Sequence, residues 1–398
     1  MAIQQEEELI DISGLSSQYL LSAFHAVEYP EVLISFARDM GGGSIGENVQ
    51  SFIWNNCICG TGGGGGCNGP YLKRFLKKLI AEIESKGDVV LEELYEHYVF
   101  YLTSLKDEDV SKGSSRIVKR ISFLFPDECS GLSSCTESKK LDISLQCSLN
   151  MLEGDTGCSI WPSSLFLSEF ILSFPEIFSN KFCFEVGSGV GLVGLCLAHV
   201  NASSVILSDG DLSTLANMKL NLELNLLRTR TDMSEKTKYS SRVECICLPW
   251  ECATEEELQK YVPDIILGAD VVYDPSCLPH LVRVLSVLLK SRTSDPIHQN
   301  DSGEECKRSS CRSIKSEVTN PGCNNNAAIS ASKKGPVAYV ASVIRNVETF
   351  NYFLELMKQG DLIVDDITEK MKPFDFLPYL KSYPRSTIRL FCISFECR

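Results

Sequence analysis

The residues best suited to chemistry in this sequence form a glycine-rich stretch at positions 182–194. An apolar run that begins at Phe182 ends in Gly187, Gly189 and Gly191, and an apolar helical segment follows. This pattern predicts a buried strand, a tight turn and the N-terminus of a helix. Because such a turn lets a ligand approach bare backbone N–H groups at the positive end of a helix, the stretch predicts a nucleotide-like cofactor.

The spacing of these glycines fits more than one cofactor. The last three glycines of the stretch match G-x-G-x-x-G, the dinucleotide fingerprint, and Asp209 lies 20 residues after Gly189, where a ribose-binding acid is expected. Glu185 and the first three glycines match equally well E-x-G-x-G-x-G, the first motif of S-adenosylmethionine-dependent methyltransferases. A turn that only packs a helix on a strand is a third interpretation.

Further candidate residues follow other apolar runs. Asp209, Trp250 and Asp270 each come directly after a predicted strand, and Tyr273 lies just beyond Asp270. An open α/β sheet binds ligands beyond the carboxyl ends of its strands, so these side chains are expected to meet in one crevice. If the cofactor is S-adenosylmethionine, Asp209 would accept hydrogen bonds from its ribose hydroxyls and Trp250 would pack near its adenine. Asp270 and Tyr273 would lie where its methyl group is presented.

Each of these side chains also has a structural interpretation. Asp209 could cap a helix, although Asp211 could do so instead. Asp270 could be a satisfied loop carboxylate, and Tyr273 could be a packed aromatic. Trp161, at a loop-to-helix junction before the glycine stretch, could belong to the core, cover a planar ring or flank a sulfonium.

Strands alternate with helices from residue 182 onward, which predicts an α/β doubly wound, mostly parallel, seven-stranded sheet of Rossmann-like type. The predicted catalytic domain spans residues 140–398. Within it, residues 291–335 are rich in Ser, Asn, Lys and Gly, and they predict a disordered insertion.

Residues 1–115 are predicted to form a helical N-terminal extension. Helical spacing of apolar residues predicts two short helices within 8–39, separated at a proline, and two longer helices at 71–83 and 89–105. The glycine-rich segment 41–69 is predicted to be a flexible insertion.

Composition narrows the class of protein. The net charge of −14, from 38 basic and 52 acidic residues, argues against a nucleic-acid binder. No secretory signal or apolar run of membrane-spanning length is evident, and the 18 cysteines are scattered, so a cytoplasmic protein with free thiols is expected, and a monomer. Cys57 and Cys59, with Cys67 nearby, lack further ligands, so a metal site is not expected.

Taken together, the motifs resemble the seven-strand protein lysine methyltransferases of family 16. The resemblance spans residues 157–395 and rests on Ile-Trp161-Pro, the glycine stretch, Leu-Ser-Asp209, Leu-Pro-Trp250 and Gly-Ala-Asp270-Val-Val-Tyr273. It implies S-adenosylmethionine as cofactor and Asp270 and Tyr273 as catalytic residues. It also implies cofactor contacts by Trp161, Glu185, Gly187, Ser188, Gly189, Asp209, Trp250 and Ala269.

Two further features are similar to the members of this family that methylate elongation factor 2. These are the helical extension and an Arg-Asn-x-x-Thr-Phe stretch that begins at Arg345. The resemblance therefore implies a protein substrate, expected to be elongation factor 2. Three alternatives stay open: a small-molecule methyltransferase, a non-catalytic binding module, and an NAD(P)-dependent oxidoreductase, for which no Tyr-x-x-x-Lys pair or hydride-site histidine is evident.

Overall fold

The structure is a computed structural model that describes residues 14–59, 69–104, 116–126, 139–148, 156–231, 242–290 and 335–395. The predicted disordered insertion lies outside these ranges, apart from its last residue. In the described parts of the chain, no helix combines the length and the apolar character needed to cross a membrane.

The N-terminal part of the described chain is helical. Its helices are α1 (Leu15–His25), α2 (Pro30–Met40), α3 (Glu47–Ile53), α4 (Gly69–Ser85) and α5 (Glu92–Ser104). Pro30 occupies the first turn of α2, where its missing N–H leaves no helical hydrogen bond unmade. Phe24 of α1 and Phe75 of α4 are buried against each other, so the apolar stripes predicted for these helices form a core.

The prediction that residues 41–69 form a flexible insertion is wrong for their middle part. Helix α3 and a π-helical turn at Trp54–Cys59 lie there, and Val49, Phe52 and Ile53 are buried in the core. Their helical spacing drives this burial, and the flanking glycines obscured it in the sequence. The long glycine run lies within residues 60–68, outside the described residues.

Helix α5 differs from its prediction in a smaller way. Leu94 is fully buried, as its place in the predicted apolar stripe requires, but Tyr95 and Leu102 of the same stripe are exposed. Among the described elements α5 packs mainly on α4, so part of its apolar stripe stays exposed.

A two-stranded antiparallel sheet follows the helices. Its strands are β1 (Arg116–Leu124) and β2 (Lys140–Ser148), which pair along their full lengths. The second strand is predicted from its alternation, whereas the first is not. Ile121 and Phe123 of β1 are buried, and their alternation with polar neighbours is the signal that predicts such a strand.

The seven-stranded sheet that carries the candidate site forms the C-terminal half. Its strands are β3 (Phe182–Val186), β4 (Ser204–Asp209), β5 (Arg242–Cys247), β6 (Ile265–Ala269), β7 (Val337–Val343), β8 (Leu362–Asp366) and β9 (Ile388–Phe395). They lie in the order β5-β4-β3-β6-β7-β9-β8, and only β9 runs antiparallel to its neighbours. The predicted fold class is confirmed.

Helices cover both faces of this sheet. They are α6 (Pro162–Ser173), α7 (Pro175–Phe178), α8 (Leu192–His199), α9 (Leu212–Thr231), α10 (Glu255–Leu258), α11 (Leu278–Leu289) and α12 (Val347–Gln359). On one face, α6, α8 and α9 share a continuous apolar core with the N-terminal helices. On the other face, α11 and α12 form a separate core. The N-terminal helices thus pack as part of the larger core, and the predicted boundary between residues 1–115 and 140–398 stays a prediction.

Asparagines of α9 join the two sheets. Asn225 donates to the carbonyl of Ser144 and accepts from its N–H, over 2.8 and 3.0 Å. Asn221 accepts from the N–H of Gln146 over 2.7 Å. The four-residue spacing places both amides on one face of the helix, where they satisfy the outer edge of β2.

Candidate functional site

The glycine turn lies at the carboxyl end of β3, where it leads into α8. Gly187, Gly189 and Gly191 have φ values of +65°, +54° and +83°, a left-handed region that favours glycine. A Cβ on Gly187 would lie 3.0 Å from Cγ1 of Val271 and 3.3 Å from Cζ2 of Trp250. The turn therefore requires glycine for both its conformation and its close packing.

Ser188 fixes this turn to the neighbouring strand. Its N–H donates to the carbonyl of Ser208 over 2.9 Å, and its hydroxyl accepts from the N–H of Ser208 over 3.1 Å. The Ser208 hydroxyl in turn donates to the carbonyl of Glu185 over 2.7 Å. The side chain of Ser188 is thus occupied within the protein, and its predicted contact with a cofactor stays a prediction.

Two buried polar atoms at this end of the sheet have no hydrogen-bond partner among the described residues: Oε2 of Glu185 and Oγ of Ser163. Glu185 is only 1% exposed, and its burial raises the pKa of its carboxyl group to about 8, with Asp209 acting in the same direction. A buried polar group without a partner is costly to the fold. Each of these atoms would therefore be stabilised by a polar ligand group that reached it.

Asp209 lies at the end of β4 and links the glycine turn to the loop that follows. Its Oδ2 accepts from the N–H of Gly189, and its Oδ1 from the N–H of Asp211, both over 3.1 Å. Burial raises the pKa of this carboxyl group. The helix-cap interpretation is wrong for Asp209, because Asp211 caps α9 by accepting from the N–H of Thr214 over 2.7 Å.

The two predicted tryptophans lie at loop-to-element junctions around the turn. Trp250 follows β5, and its carbonyl accepts from Nη2 of Arg283 over 2.6 Å, which holds the loop against α11. Trp161 occupies the N-cap position of α6, and its indole N–H donates to the carbonyl of Thr156 over 3.0 Å. Both rings are half-buried, so each keeps a surface that a ligand could contact.

At the carboxyl end of β6, Ala269 is half-buried and the next residue, Asp270, is buried with a φ of +54°. Oδ1 of Asp270 accepts from the N–H of Val343 over 3.3 Å and from Nη1 of Arg345 over 3.1 Å. Oδ2 accepts from the N–H of Ser163 over 3.3 Å and from Nη2 of Arg345 over 3.4 Å. This is the geometry of a satisfied loop carboxylate, and the catalytic role of Asp270 stays a prediction.

Tyr273 lies at the mouth of the crevice. Its side chain is 62% exposed, so the interpretation as a packed aromatic is wrong. An exposed ring beyond the end of β6 is free to contact an incoming substrate, and its predicted role in the acceptor site stays a prediction.

Sequence reasoning did not predict Arg345 or Ser163 as site residues. Arg345 follows β7 as Asp270 follows β6, so the rule that ligands bind beyond strand ends would have found it. Its guanidinium carbon also lies 5.4 Å from the centre of the Trp161 ring. Ser163 gives a weaker signal, since only its position after Trp161 and Pro162 connects it to the site.

The strand order and the site together define a class of protein. A sheet of this order, with a glycine turn after its first parallel strand and an acid at the end of the second, is the class I fold of S-adenosylmethionine-dependent methyltransferases. The glycine turn, Asp209 and Oε2 of Glu185, which has no partner among the described residues, fit that cofactor, which carries both ribose hydroxyls and an ammonium group.

Comparisons with known proteins show which family the chain is similar to. Residues 139–300 match the profile of a family described as lysine methyltransferase. The chain is 31% identical to human protein-lysine N-methyltransferase EEF2KMT over 223 residues, which are 56% of this chain and 61% of the human one. The mouse protein of the same name is 26% identical over 77% of this chain and 74% of its own. The predicted resemblance to this family is confirmed over residues 139–300.

These matches cover only part of the proteins compared. The match with the human enzyme covers about three fifths of that protein's length. Among solved structures, a precorrin-6Y C5,15-methyltransferase from Geobacter metallireducens aligns with 59% of this chain and 86% of its own, at 10% identity and a TM-score of 0.31.

Proposed function

We propose that this protein is an S-adenosylmethionine-dependent protein-lysine N-methyltransferase. The observation that carries the proposal is the pair of carboxyl groups at the glycine turn, of which Glu185 is buried and Asp209 half-buried. Glu185 has an oxygen without a partner among the described residues, and Asp209 holds the turn from the next strand. The match of residues 139–300 to the lysine methyltransferase family supports the same activity.

Residues in and around the glycine turn would each contact a different part of the cofactor. Asp209 would accept hydrogen bonds from ribose hydroxyls. A cationic group beside Glu185 would favour loss of the carboxyl proton and then pair with the carboxylate. The glycines at 187, 189 and 191 leave room for close backbone approach. Trp161 and Trp250 would supply apolar and π surface on either side.

The chemistry requires an uncharged amine in line with a methyl group. When bound, the cofactor supplies a methyl on a positively charged sulfur, and the amine lone pair forms the N–C bond as the S–C bond breaks. A free lysine side chain, with a pKa of about 10.4, is mostly charged at pH 7, so the site must favour loss of its proton to water. Orientation of the two groups contributes up to roughly 7–11 kcal/mol in favourable systems.

The acceptor side of the crevice lies at the ends of β6 and β7. Asp270, which accepts from the N–H of Val343, would order the loop there, and the exposed Tyr273 would line an entrance for a side chain. The predicted substrate is a lysine of elongation factor 2. The name of the human relative, a protein-lysine N-methyltransferase, supports a protein acceptor. A net charge of −14 is also compatible with a basic docking surface on that partner.

The test is methylation of a cell extract with methyl-labelled S-adenosylmethionine, followed by mass spectrometry of the labelled proteins. We expect label on a lysine of elongation factor 2 with the parent protein, and none with Asp209→Ala. Label on other proteins only would contradict elongation factor 2 as the substrate but would support the proposed methyltransferase activity. An absence of label in any protein would contradict the activity.

A further inference from the structure

An arginine connects the two halves of the proposed site. Arg345 lies beyond β7, pairs with Asp270 through both terminal nitrogens, and places its guanidinium carbon 5.4 Å from the ring centre of Trp161. Asp270 is a predicted catalytic residue and Trp161 a predicted cofactor contact. Arg345 therefore touches one residue from each side of the crevice.

The ion pair leaves little room for a second cation on Asp270. Each carboxylate oxygen already accepts from one backbone N–H and one guanidinium N–H. The Asp270 side chain is 4% exposed, whereas that of Arg345 is 45% exposed. The group that faces the solvent at this point is thus the cation, and the carboxylate lies behind it.

We propose that Arg345 is a positioning residue of the methyl-acceptor site, where its fixed positive charge favours the uncharged form of the entering lysine amine. This inference rests on the proposed function. It assigns to Asp270 the role of anchoring Arg345, in place of the predicted role of holding the substrate ammonium. A guanidinium keeps its charge at any pH the fold tolerates, and a like charge disfavours protonation of a neighbouring amine.

The proton balance follows directly. The lysine ammonium gives its proton to water as it enters, and the resulting lone pair forms the N–C bond. The S–C bond breaks with its electron pair left on sulfur, which becomes neutral. The methylated amine then carries the positive charge and leaves, or loses a further proton to water.

Other charged and titratable groups lie on the elements next to the pair. At the N-terminal turn of α6, the N–H of Ser163 donates to Asp270 and the ring of Trp161 lies beside the guanidinium of Arg345. Among the described residues, such groups include Tyr273 and Asp274 after β6, Asp209 at the end of β4, Glu348 on α12, and Arg389 on β9, whose charge is already paired with Asp366.

The test compares the pH dependence of kcat, which reports the groups of the enzyme–substrate complex. Arg345→Gln removes the charge, and Arg345→Lys keeps it without the two-pronged geometry. Arg389→Gln is a matched control, because it breaks another exposed arginine–carboxylate pair on the same sheet. Thermal unfolding establishes that each variant is folded. The substrate is elongation factor 2.

We expect the acid limb of the kcat profile to move up by about one pH unit in Arg345→Gln, which makes the variant about tenfold slower at pH 7.5 and nearly equal to the parent at pH 10. Arg345→Lys and Arg389→Gln should keep the acid limb of the parent. A uniform loss of rate at every pH, or an unchanged limb with a lower KM, would overturn the inference.

A second readout does not depend on turnover. With S-adenosylhomocysteine in place of the cofactor, calorimetry in two buffers counts the protons released when elongation factor 2 binds. The parent should release more protons at pH 8 than Arg345→Gln, and equal release overturns the inference. A parent protein that methylates nothing contradicts the proposed function and this inference together, whereas an active parent with indistinguishable variants contradicts this inference alone.

Discussion

Two buried carboxylates at the same end of the sheet have opposite surroundings. Asp270 receives a hydrogen bond from each of two backbone N–H groups and two from Arg345. Glu185 lies on the neighbouring strand β3, and within the described parts of the chain it forms no ion pair and its Oε2 has no hydrogen-bond partner. Accordingly, burial raises the pKa of Glu185 to about 8.

The contrast separates carboxylates that build the structure from those that await a ligand. Glu169 of α6 belongs to the first kind. It is fully buried, and it accepts from Nε of Arg385 over 2.9 Å, the hydroxyl of Tyr383 over 3.0 Å and the N–H of Phe376 over 2.8 Å. A carboxylate with so many donors orders the chain around it, whereas an unpartnered one keeps binding capacity for a guest.

The largest expected effect is a loss of stability when a carboxylate that orders the structure loses its cation. Arg385→Met leaves Glu169 buried without its cation, so the free energy of unfolding should fall by about 3–5 kcal/mol in urea titrations at pH 7. Arg389→Met removes the exposed partner of Asp366 and should cost less than about 1 kcal/mol. Equal losses in the two variants would contradict the distinction drawn for Glu169.

The next largest effect is on the affinity for the cofactor, which Asp209 is proposed to bind. Asp209→Asn keeps the shape of the side chain but removes the charge that holds Gly189 and would hold the ribose, so affinity for S-adenosylmethionine should fall about 10- to 100-fold. Calorimetric titration measures this loss. The control is Asp211→Asn, which keeps an oxygen to cap α9 and should bind nearly as tightly as the parent. Similar affinities for both variants would remove Asp209 from the site.

A pH-dependent effect tests Glu185 in the ligand-free protein. Its folded pKa, about 8, lies above the unfolded value near 4.5, so the native state holds a proton that the unfolded chain has lost. Its contribution to stability is therefore complete below about pH 4.5 and declines as pH rises towards 8, by at most about 1.4 kcal/mol per pH unit. Glu185→Gln should remove this decline, so its unfolding free energy should exceed that of the parent increasingly from pH 6 to pH 8. Parallel profiles would show that Glu185 is not the buried, uncompensated acid described above.

Much of this architecture could be predicted from the sequence, because strand and helix periodicity are local signals. The glycine turn, Asp209 and the order of strands after residue 182 follow from apolar runs and their ends. β1 is missed because Lys119 and Arg120 interrupt its apolar residues, which include the buried Ile121 and Phe123. Helix α3 is missed because glycines flank it.

The partners of each carboxylate could not be predicted in this way. The sequence places Asp270 after a strand, but Arg345 lies 75 residues further on and Ser163 lies 107 residues before it. Only the folded sheet brings these three together at one crevice. Whether a carboxylate is satisfied or free is a property of such distant contacts, and so is the division of roles inferred from it.

The most direct test of the central claim is a binding experiment with two cofactors. The full chain is titrated with S-adenosylmethionine and, separately, with NADH, and each titration is repeated with Glu185→Gln. The account predicts saturable binding of S-adenosylmethionine that weakens in the variant, and no saturable binding of NADH. Tight binding of NADH with no binding of S-adenosylmethionine would contradict the claim that the unpartnered carboxylate and the glycine turn form a methyl-donor site.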